Sequence, residues 1–296
     1  MDQKRRRIMA EYTLDDKGSI AFRITNGVTG SVCKVAQLGA TVVSWRGKGG
    51  DERLFVSTKS EFTKGKAVRG GIPICWPQFS SYGDFPKHGI ARNNLWIMRD
   101  VETDASGGSV TATFMLMDDP EVAKHVQGIT LEYRVTLDGE DRLITELVAR
   151  GHRDTPLKTT VCLHTYFAVG DIMQTSVVGL KGAAFSDQVA KEEAEQESEE
   201  LTFGFECDRI YHNNATETLE IRDAKNKRKF LVSKSPELSD WVVWNLWKEK
   251  ALQMADMDDD GYSKYVCVEP TRYSQPAVIE AGGEFRCRQT IQVLPM

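Results

Sequence analysis

The sequence has none of the short motifs that identify several large enzyme classes. It contains no HExxH zinc motif, no GxSxG nucleophile turn and no glycine-rich loop of the nucleotide-binding type. Zinc proteases, α/β-type serine hydrolases and P-loop enzymes therefore receive no support. No apolar run approaches the roughly 18 residues that a membrane-spanning helix needs. We expect a protein that does not associate with a membrane.

Cysteine is present without a recognisable pattern. The chain has six cysteines and no CxxC pair, which argues against a zinc site and a disulfide framework and favours free, buried thiols. A run that begins Asp256-Met257-Asp258 resembles the start of a calcium-binding EF-hand loop, but its twelfth position is Cys267, where that loop requires a glutamate. We therefore expect no metal and no organic cofactor.

The distribution of charge bears on which partners the protein could bind. The net charge is −5 and charged residues make up 27% of the chain, which is typical of an ordinary protein surface and gives no reason to expect a nucleic acid partner.

The basic run from Lys4 to Arg7 is not followed by the apolar segment of a signal peptide. We interpret residues 1–10 as a disordered basic tail and residues 11–296 as one domain. We expect a cytoplasmic protein without an obligate protein partner.

Apolar and polar residues alternate with a period of two in many segments, which is the pattern of half-buried β-strands. Turn-like runs of glycine, aspartate and serine separate these segments. Many short strands at close spacing predict an all-β fold, either a sandwich or a barrel. The predicted strands are Ser19–Thr25, Thr41–Arg46, Ser109–Met117, Ile129–Leu137, Arg142–Arg150, Glu217–Arg222, Arg228–Ser233 and Glu284–Leu294.

Helices are few and short in this prediction. Asp118–Val126 has Asp119 as an N-cap and Pro120 at the first helical position, and Pro236–Asp240 could form a single turn. The strongly acidic stretch Lys191–Glu200 is interpreted as a solvated helix or loop, with an acidic interaction site as the alternative.

The segment Arg69–Asn93 combines four glycines and three prolines with several aromatic residues. Proline fixes the backbone and glycine permits unusual angles, so the segment predicts a rigid, shaped loop. Its apolar residues would bury part of the loop and direct Arg69, Lys87, His88 and Arg92 toward one cleft, which favours an anionic ligand. A surface excursion with solvated charges is the alternative.

Three further residues are candidates for chemistry. His164 follows a strand-like run, although a single histidine there is more often structural. Glu269 ends an apolar strand, and because an unpaired buried carboxylate costs several kcal/mol, it should face a polar cleft or a partner. Asp208 could face a ligand, or it could form a salt bridge with Arg209 or another neighbour.

Several short motifs that contain these residues are spread in order over most of the chain. They are residues 36–40 (AQLGA), 69–73 (RGGIP), 76–79 (WPQF), 88–93 (HGIARN), 163–167 (LHTYF), 208–211 (DRIY) and 266–270 (VCVEP). Together they resemble the glucose-6-phosphate 1-epimerase branch of the aldose 1-epimerase, or mutarotase, family.

This resemblance implies a galactose mutarotase-like supersandwich that interconverts the α and β anomers of a hexose 6-phosphate, the small-molecule partner. His164 and Glu269 match the catalytic histidine and glutamate of the family. Arg69, His88, Arg92 and Asp208 match its substrate-binding positions. Family members often have glutamine where this chain has Lys87, so that residue either keeps a sugar contact or adds a charge beside the phosphate.

The expected chemistry needs one base and one acid. Anomer exchange removes the proton from the C1 hydroxyl and protonates the ring oxygen, so that the ring opens, rotates and closes on the other face. Glu269 is the predicted base and His164 the predicted acid, and their reference pKa values of about 4.3 and 6.5 stand in that order. The rivals are a sugar-phosphate-binding protein without turnover and a mutarotase for unphosphorylated aldoses.

Overall fold

The structure, a computed structural model, describes residues 10–14, 18–152, 154 and 156–296. Most of the predicted basic tail, residues 1–9, lies outside the described residues, and Ala10 is the first residue of the first strand. No helix in the described part of the chain is long and apolar enough to cross a membrane.

Antiparallel strands form the body of the molecule. Within the described residues there are two α-helices, α1 (Pro120–Val126) and α2 (Trp247–Ala251), and three 3-10 helices, Ala91–Asn93, Ile172–Gln174 and Gly261–Lys264. The strands are β1 (Ala10–Leu14), β2 (Ile20–Thr25), β3 (Val32–Ala36), β4 (Val42–Arg46), β5 (Ile74–Cys75), β6 (Trp96–Thr103), β7 (Ser109–Leu116), β8 (Ile129–Asp138), β9 (Arg142–Gly151), β10 (Leu157–Leu163), β11 (Tyr166–Ala168), β12 (Thr175–Val178), β13 (Ala184–Asp187), β14 (Glu192–Glu195), β15 (Glu200–Thr202), β16 (Cys207–Tyr211), β17 (Thr218–Asp223), β18 (Arg228–Lys234), β19 (Asp240–Asn245), β20 (Tyr265–Ile279) and β21 (Glu284–Pro295).

The strands form three sheets. The first has the order β1-β2-β3-β4. The second has eight strands in the order β14-β13-β16-β19-β20-β10-β5, with β11 also paired to β20, and the third has nine in the order β15-β12-β17-β18-β21-β9-β8-β7-β6. The second and third sheets pack face to face, so the prediction of an all-β sandwich is confirmed.

Aromatic contacts mark where the layers meet. Phe167 on β11 packs against Phe230 on β18, with ring centroids 5.1 Å apart. On the same face of the third sheet, Phe22 of β2 packs edge-on against Phe114 of β7 at 5.5 Å, which attaches the four-stranded sheet to the third sheet. Each such ring buries about 150–250 Å², so these contacts contribute strongly to cohesion of the layers.

The eight strands predicted from alternation all form, because their apolar residues occupy one face of a pleated strand and their polar residues the other. In β7 and β8 the burial of successive residues alternates along the strand as the sequence predicts. The predicted helix is also confirmed: α1 begins at Pro120, and the Asp119 side chain accepts a hydrogen bond of 2.9 Å from the backbone N–H of Glu121.

Two local predictions are corrected. Pro236–Asp240 forms a turn rather than a helical turn, and Asp240 already belongs to β19, where its buried carboxylate accepts backbone N–H groups of Tyr273 and Ser274 at 2.6 and 3.0 Å. The acidic stretch Lys191–Glu200 contains strand β14, which pairs with β13 at the edge of the second sheet. The four exposed residues of that strand pair with β13, so high charge did not prevent a strand from forming.

All six cysteines are buried and free, as the sequence predicts. Cys33, Cys207 and Cys287 lie in the main core, whereas Cys75 and Cys162 lie together in a smaller apolar cluster on the opposite face of the second sheet. That face carries the candidate site.

Candidate active site

Along neighbouring strands of the second sheet, successive side chains point in turn to the main core and to the face that carries the candidate site. On β16, β19 and β20 the side chains of Tyr211, Val243 and Val268 enter the main core. Residues one position away point to the opposite face and line a cavity of about 490 Å³. The cavity residues contributed by these three strands are Asp208, Ile210, Val242, Trp244, Glu269 and Tyr273.

All seven residues singled out from the sequence line this one cavity. The strands supply Asp208 and Glu269, the turn between β10 and β11 supplies His164, and the loop Arg69–Asn93 closes the cavity from above. The site residues of that loop that line the cavity are Arg69, Lys87, His88 and Arg92. Their convergence excludes the alternative in which the loop is a surface excursion with solvated charges.

The loop keeps its shape through close backbone approaches. Gly89 has φ of +71°, and a Cβ at this position would lie 2.1 Å from the carbonyl oxygen of Trp76. The next residue, Ile90, donates its N–H to the same carbonyl at 2.8 Å. His88, held beside Gly89, accepts at Nδ1 from the N–H of Ser80 at 3.2 Å. Glycine at position 89 therefore sets where the His88 ring enters the cavity.

Gly89→Ala is expected to destabilise the protein by about 2–4 kcal/mol, because it adds both a steric clash and a left-handed alanine. Denaturant unfolding measures this loss. Gly83→Ala is the matched control, since a Cβ at Gly83 has only the Gln78 side chain as a neighbour, at 3.5 Å. Equal stability of the two variants would contradict the role assigned to Gly89.

His164 is held on three sides. Its backbone N–H donates to the carbonyl of Pro73 at 3.0 Å. Its ring stacks on Tyr166 with centroids 4.8 Å apart and an interplanar angle of 7°, and it meets Trp244 edge-on at 5.7 Å. Burial, followed by the neighbouring His88, Arg92 and Arg69 side chains, lowers the pKa of His164 well below its usual value. The ring is thus fixed in orientation, and its surroundings favour the neutral form.

Glu269 is 1% exposed and lies beside His164. Its Oε1 is 3.1 Å from His164 Nδ1, but the direction of approach does not satisfy a hydrogen bond, so Nδ1 has no hydrogen-bond partner among the residues that the structure describes. Its Oε2 accepts from the thiol of Cys162 at 2.8 Å. Burial raises the pKa of Glu269 well above its usual value, and the Cys162 contact opposes that rise.

The protein environment shifts the pKa values of His164 and Glu269 in the directions that oppose the order expected from isolated side chains. Burial disfavours every charge, and the cations around His164 disfavour an imidazolium further. The pair favours its neutral forms, although the neutral pair and the ion pair hold the same number of protons. A bound anion would offset the nearby positive charges and favour the imidazolium with the carboxylate.

Glu269→Gln is expected to stabilise the protein at neutral and alkaline pH. The carboxyl group has an unfolded pKa of about 4.3 and a raised folded pKa, so its contribution to stability is complete below the first value and is lost as pH rises toward the second. Glutamine does not ionise and avoids this loss. We expect the melting temperature at pH 8 to rise by about 2–5 °C.

Thermal unfolding at several pH values checks this result, and the gain should shrink as pH falls toward 4. A glutamine variant less stable than the wild type at pH 8 would show that the carboxylate is not a destabilising group in this cavity.

Arg69 and Arg92 differ in how many of their N–H donors already have hydrogen-bond partners within the protein. Arg69 donates from Nε and Nη2 to Asp256 Oδ2 at 3.1 and 3.0 Å and approaches the hydroxyl of Tyr166 at 3.4 Å. Arg92 makes a single long contact, from Nη2 to the carbonyl of Lys87 at 3.5 Å, and its Nε has no hydrogen-bond partner among the described residues. Arg92 therefore has the larger unused capacity to bind an anion.

Asp208 does not pair with Arg209, which binds Asp187 at 3.4 Å and Gln196 at 3.2 Å instead. Its carboxylate faces the cavity. Burial raises the pKa of Asp208 to about 6, whereas the surrounding lysines act in the opposite direction. The lysines that do so are Lys250, Lys191 and Lys87.

Sequence reasoning missed several residues of the cavity wall. Lys191 lies at the tip of the β13–β14 hairpin with a φ of +61°, and Lys250 lies on α2, yet both reach the cavity. A lysine followed by six glutamates within nine residues gave no sign of this position. Trp244 and Tyr273 also line the cavity and add aromatic surface to its wall. The signal that could have found Trp244 is the short apolar run of β-branched and aromatic residues within Asp240–Asn245.

One compact group of donor atoms in the described residues could hold a metal ion. It consists of His164, Cys267 and Glu269, whose donor atoms lie within 4.8 Å of one another. The thiol of Cys267 is fully buried and its pKa is well above the usual value because of that burial, so it retains its proton. The acidic run that begins at Asp256 is not a better candidate for a metal site, since the carboxylate of Asp256 pairs with Arg69. We assign no metal site to either group.

Comparison with known protein families and proteins identifies sequences that are similar to this chain. Residues 21–292 match the aldose 1-epimerase family. A protein of Cenchrus ciliaris named "Putative glucose-6-phosphate 1-epimerase" is 32% identical over 279 residues, which are 92% of this chain and 84% of that protein. The family resemblance seen in the sequence motifs is thus confirmed.

Solved structures agree with the fold. A crystal structure from Salmonella typhimurium, described as a "putative mutarotase", superposes with a TM-score of 0.87 at 30% identity and covers 99% of this chain and 96% of that one. A galactose mutarotase related enzyme of Lactobacillus acidophilus superposes with a TM-score of 0.70 at 15% identity, covering 93% and 97%. The galactose mutarotase-like fold expected from the resemblance is confirmed.

Proposed function

This chain belongs to the aldose 1-epimerase family, and on that premise we propose that it interconverts the α and β anomers of a hexose 6-phosphate, with D-glucose 6-phosphate as the substrate to test first. One observation carries the proposal. The buried pair His164 and Glu269 opens into a cavity whose other walls carry two arginines and three lysines. An acid–base pair suits a neutral sugar ring, and the positive wall suits an attached dianion.

The proposed mechanism starts from the imidazolium and the carboxylate. Glu269 takes the proton of the C1 hydroxyl while His164 gives its proton to the ring oxygen, and the C1 to ring-oxygen bond breaks as the C1 carbonyl forms. Rotation about the C1–C2 bond presents the other face of the carbonyl. Closure reverses both proton transfers, so the pair returns to its initial state without a net loss of protons. Asp208 and the aromatic surface of Trp244 are assigned to holding the sugar.

The phosphate has two roles in this proposal. It binds the cationic wall, where Arg92 has unused donors and Arg69, already held by Asp256, supplies a preorganised charge. It also offsets the positive charges that depress the pKa of His164. Binding of the dianion therefore favours the protonated histidine that acts as the acid. In this proposal, the phosphate thus opposes the preference of the buried pair for its neutral forms.

The pH profiles are expected to show this coupling. For glucose 6-phosphate, the alkaline limb of kcat should lie at higher pH than the alkaline limb of kcat/KM, because kcat reports the complex and kcat/KM the free protein. Both limbs describe the coupled pair rather than one residue. Free glucose carries no charge, so its two alkaline limbs should coincide. Initial-rate polarimetry over pH measures both, and coincident limbs for the phosphate ester would contradict the coupling.

Two other functions fit parts of the site. A sugar-phosphate-binding protein without turnover would use the cationic wall but does not need His164 and Glu269 side by side. A mutarotase for unphosphorylated aldoses would use that pair but gains nothing from the arginines and lysines. Both features occur in one cavity, which supports the proposed activity over either alternative.

Exchange NMR separates the three functions. Purified protein is added to equilibrated anomers of glucose, glucose 6-phosphate, galactose 6-phosphate and mannose 6-phosphate, and the rate of magnetisation transfer between the anomeric protons is measured. We expect fast exchange of at least one hexose 6-phosphate and slow exchange of free glucose. Binding without exchange would favour the first alternative, and faster exchange of the free sugar would favour the second.

A further inference from the structure

Cys162 lies directly beneath the proposed catalytic pair. It is the penultimate residue of β10, where it stands opposite Cys75 of β5 on one side and Thr271 of β20 on the other. Its side chain projects to the cavity face of the sheet, because Val161 and Leu163 on either side enter the main core. Cys162 is fully buried and does not line the cavity itself.

The thiol makes a specific contact with Glu269. Its Sγ donates to Oε2 at 2.8 Å, while Oε1 of the same carboxylate lies 3.1 Å from His164 Nδ1. The two oxygens are therefore distinguished: one is held from the protein side and the other faces the acid and the cavity. A carboxylate without the thiol contact could rotate about its last side-chain bond, because terminal torsions of this kind have broad minima.

The thiol is suited to act as a donor here. Burial raises the pKa of Cys162 well above its usual value, and the neighbouring Cys75 and Glu269 add to the rise, so the sulfur keeps its proton. A thiol is a weak donor compared with a hydroxyl. It can orient the carboxylate while leaving most of its basicity, which a general base needs.

We propose that Cys162 is a positioning residue for the anomer exchange: its S–H holds Oε2 of Glu269 and so presents Oε1 to the substrate beside His164. The inference rests on the proposed function, since Glu269 is the base only in that mechanism. The titratable or charged groups that act on Glu269 or lie against it are His164, Cys75, Cys162, Cys267, Tyr166, Asp208 and Arg92.

A purely structural role is the competing explanation. Cys162 packs in an apolar cluster with Cys75, Phe79, Ile210 and Val242, so any smaller side chain would loosen this cluster. Under that explanation, alanine and serine should have similar effects on stability and activity, and neither should alter the protonation of Glu269 in a particular direction. The hydrogen bond predicts that they differ, because serine retains a donor and alanine does not.

The test compares Cys162→Ala and Cys162→Ser with the wild type. Cys287→Ala is the matched control, since Cys287 is an equally buried thiol in the main core. Steady-state anomer exchange of glucose 6-phosphate is measured from about pH 5 to pH 9. The titration of the Glu269 carboxyl carbon is followed by ¹³C NMR in the same proteins, with Glu269→Gln to assign its signal. Thermal unfolding confirms that each variant is folded.

We expect Cys162→Ala to lower kcat by about 10-fold with little change in KM, and to move the acidic limb of kcat and the Glu269 titration to higher pH, because the ionised form loses a donor. Cys162→Ser should keep kcat within about threefold of the wild type and leave the titration unchanged or at lower pH. Cys287→Ala should change none of these properties.

Shifts of the Glu269 titration in the same direction for alanine and serine, or no shift in either, would overturn the proposal. The carboxyl titration does not depend on turnover. If the wild type failed to exchange any hexose 6-phosphate, the proposed function would fall, and with it a catalytic use for Cys162, while the titration would still show whether the thiol holds Glu269.

Discussion

Glu269→Gln and His164→Ala are each expected to lower kcat for glucose 6-phosphate by at least about 100-fold, which is the usual contribution of an acid or base in proton transfer. Glutamine keeps the shape of Glu269 and can still accept from Cys162, but it cannot take the C1 proton. Alanine removes the proton donor to the ring oxygen. Sugar-phosphate binding should largely survive in both variants, because neither residue belongs to the cationic wall.

Exchange NMR measures kcat, and calorimetric titration measures binding to each variant. Matched controls are Glu102→Gln and His152→Ala, which change the same residue types at exposed positions outside the cavity. The Glu269→Gln variant carries a second expectation, since it should be more stable at pH 8 while less active. A kcat within a few-fold of the wild type for either cavity variant would show that the assigned proton transfer is wrong.

Arg92→Ala is expected to raise KM for glucose 6-phosphate by about 10–100-fold with a smaller change in kcat, because a lost charged contact costs about 1.4–2.8 kcal/mol. The phosphate at C6 lies away from the bonds that change at C1. Its contacts should therefore be similar in the ground state and the transition state. Free glucose should be turned over by the variant at nearly the wild-type rate, since it never makes this contact.

The family resemblance of the sequence places both Arg69 and Arg92 at substrate-binding positions without separating them, whereas the structure separates them. Arg69→Ala removes a charge near the phosphate but also leaves the Asp256 carboxylate without its partner, so it should lower the melting temperature as well. Arg92→Ala leaves no such group behind. Arg92→Lys keeps the charge without the planar fork and should recover part of the affinity. Lys87→Gln should raise KM less than either alanine variant.

Initial rates with glucose and glucose 6-phosphate test the prediction for Arg92→Ala. Equal loss of turnover for both sugars in Arg92→Ala would show that the loop had misfolded or that Arg92 contacts the sugar ring. Gly89→Ala provides a reference for that case, because it disturbs the same loop without removing a charge.

Local sequence decided those parts of the fold that have one face toward water. Strands such as β8 and β9 could be found from alternation, and α1 from its aspartate cap and first-turn proline, since these signals depend on neighbouring residues. Strand β19 gave a weaker signal because most of its residues are buried on both faces. Strand β14 was missed because its four residues are exposed and three of them are glutamates, and only pairing with β13 makes it a strand.

The candidate site also has features that the sequence predicted and features that only the tertiary structure decided. Short motifs identified His164, Glu269, Asp208 and the cationic loop, because these residues occur in runs that resemble the family. Tertiary structure alone decided their partners: Asp256 reaches Arg69 across 187 positions of the chain, and Cys162 reaches Glu269 across 107. It also decided their protonation, since the reference pKa order of histidine and glutamate is a property of side chains in water. Burial in a shared cavity removes that water, and no local pattern in the sequence records how completely it does so.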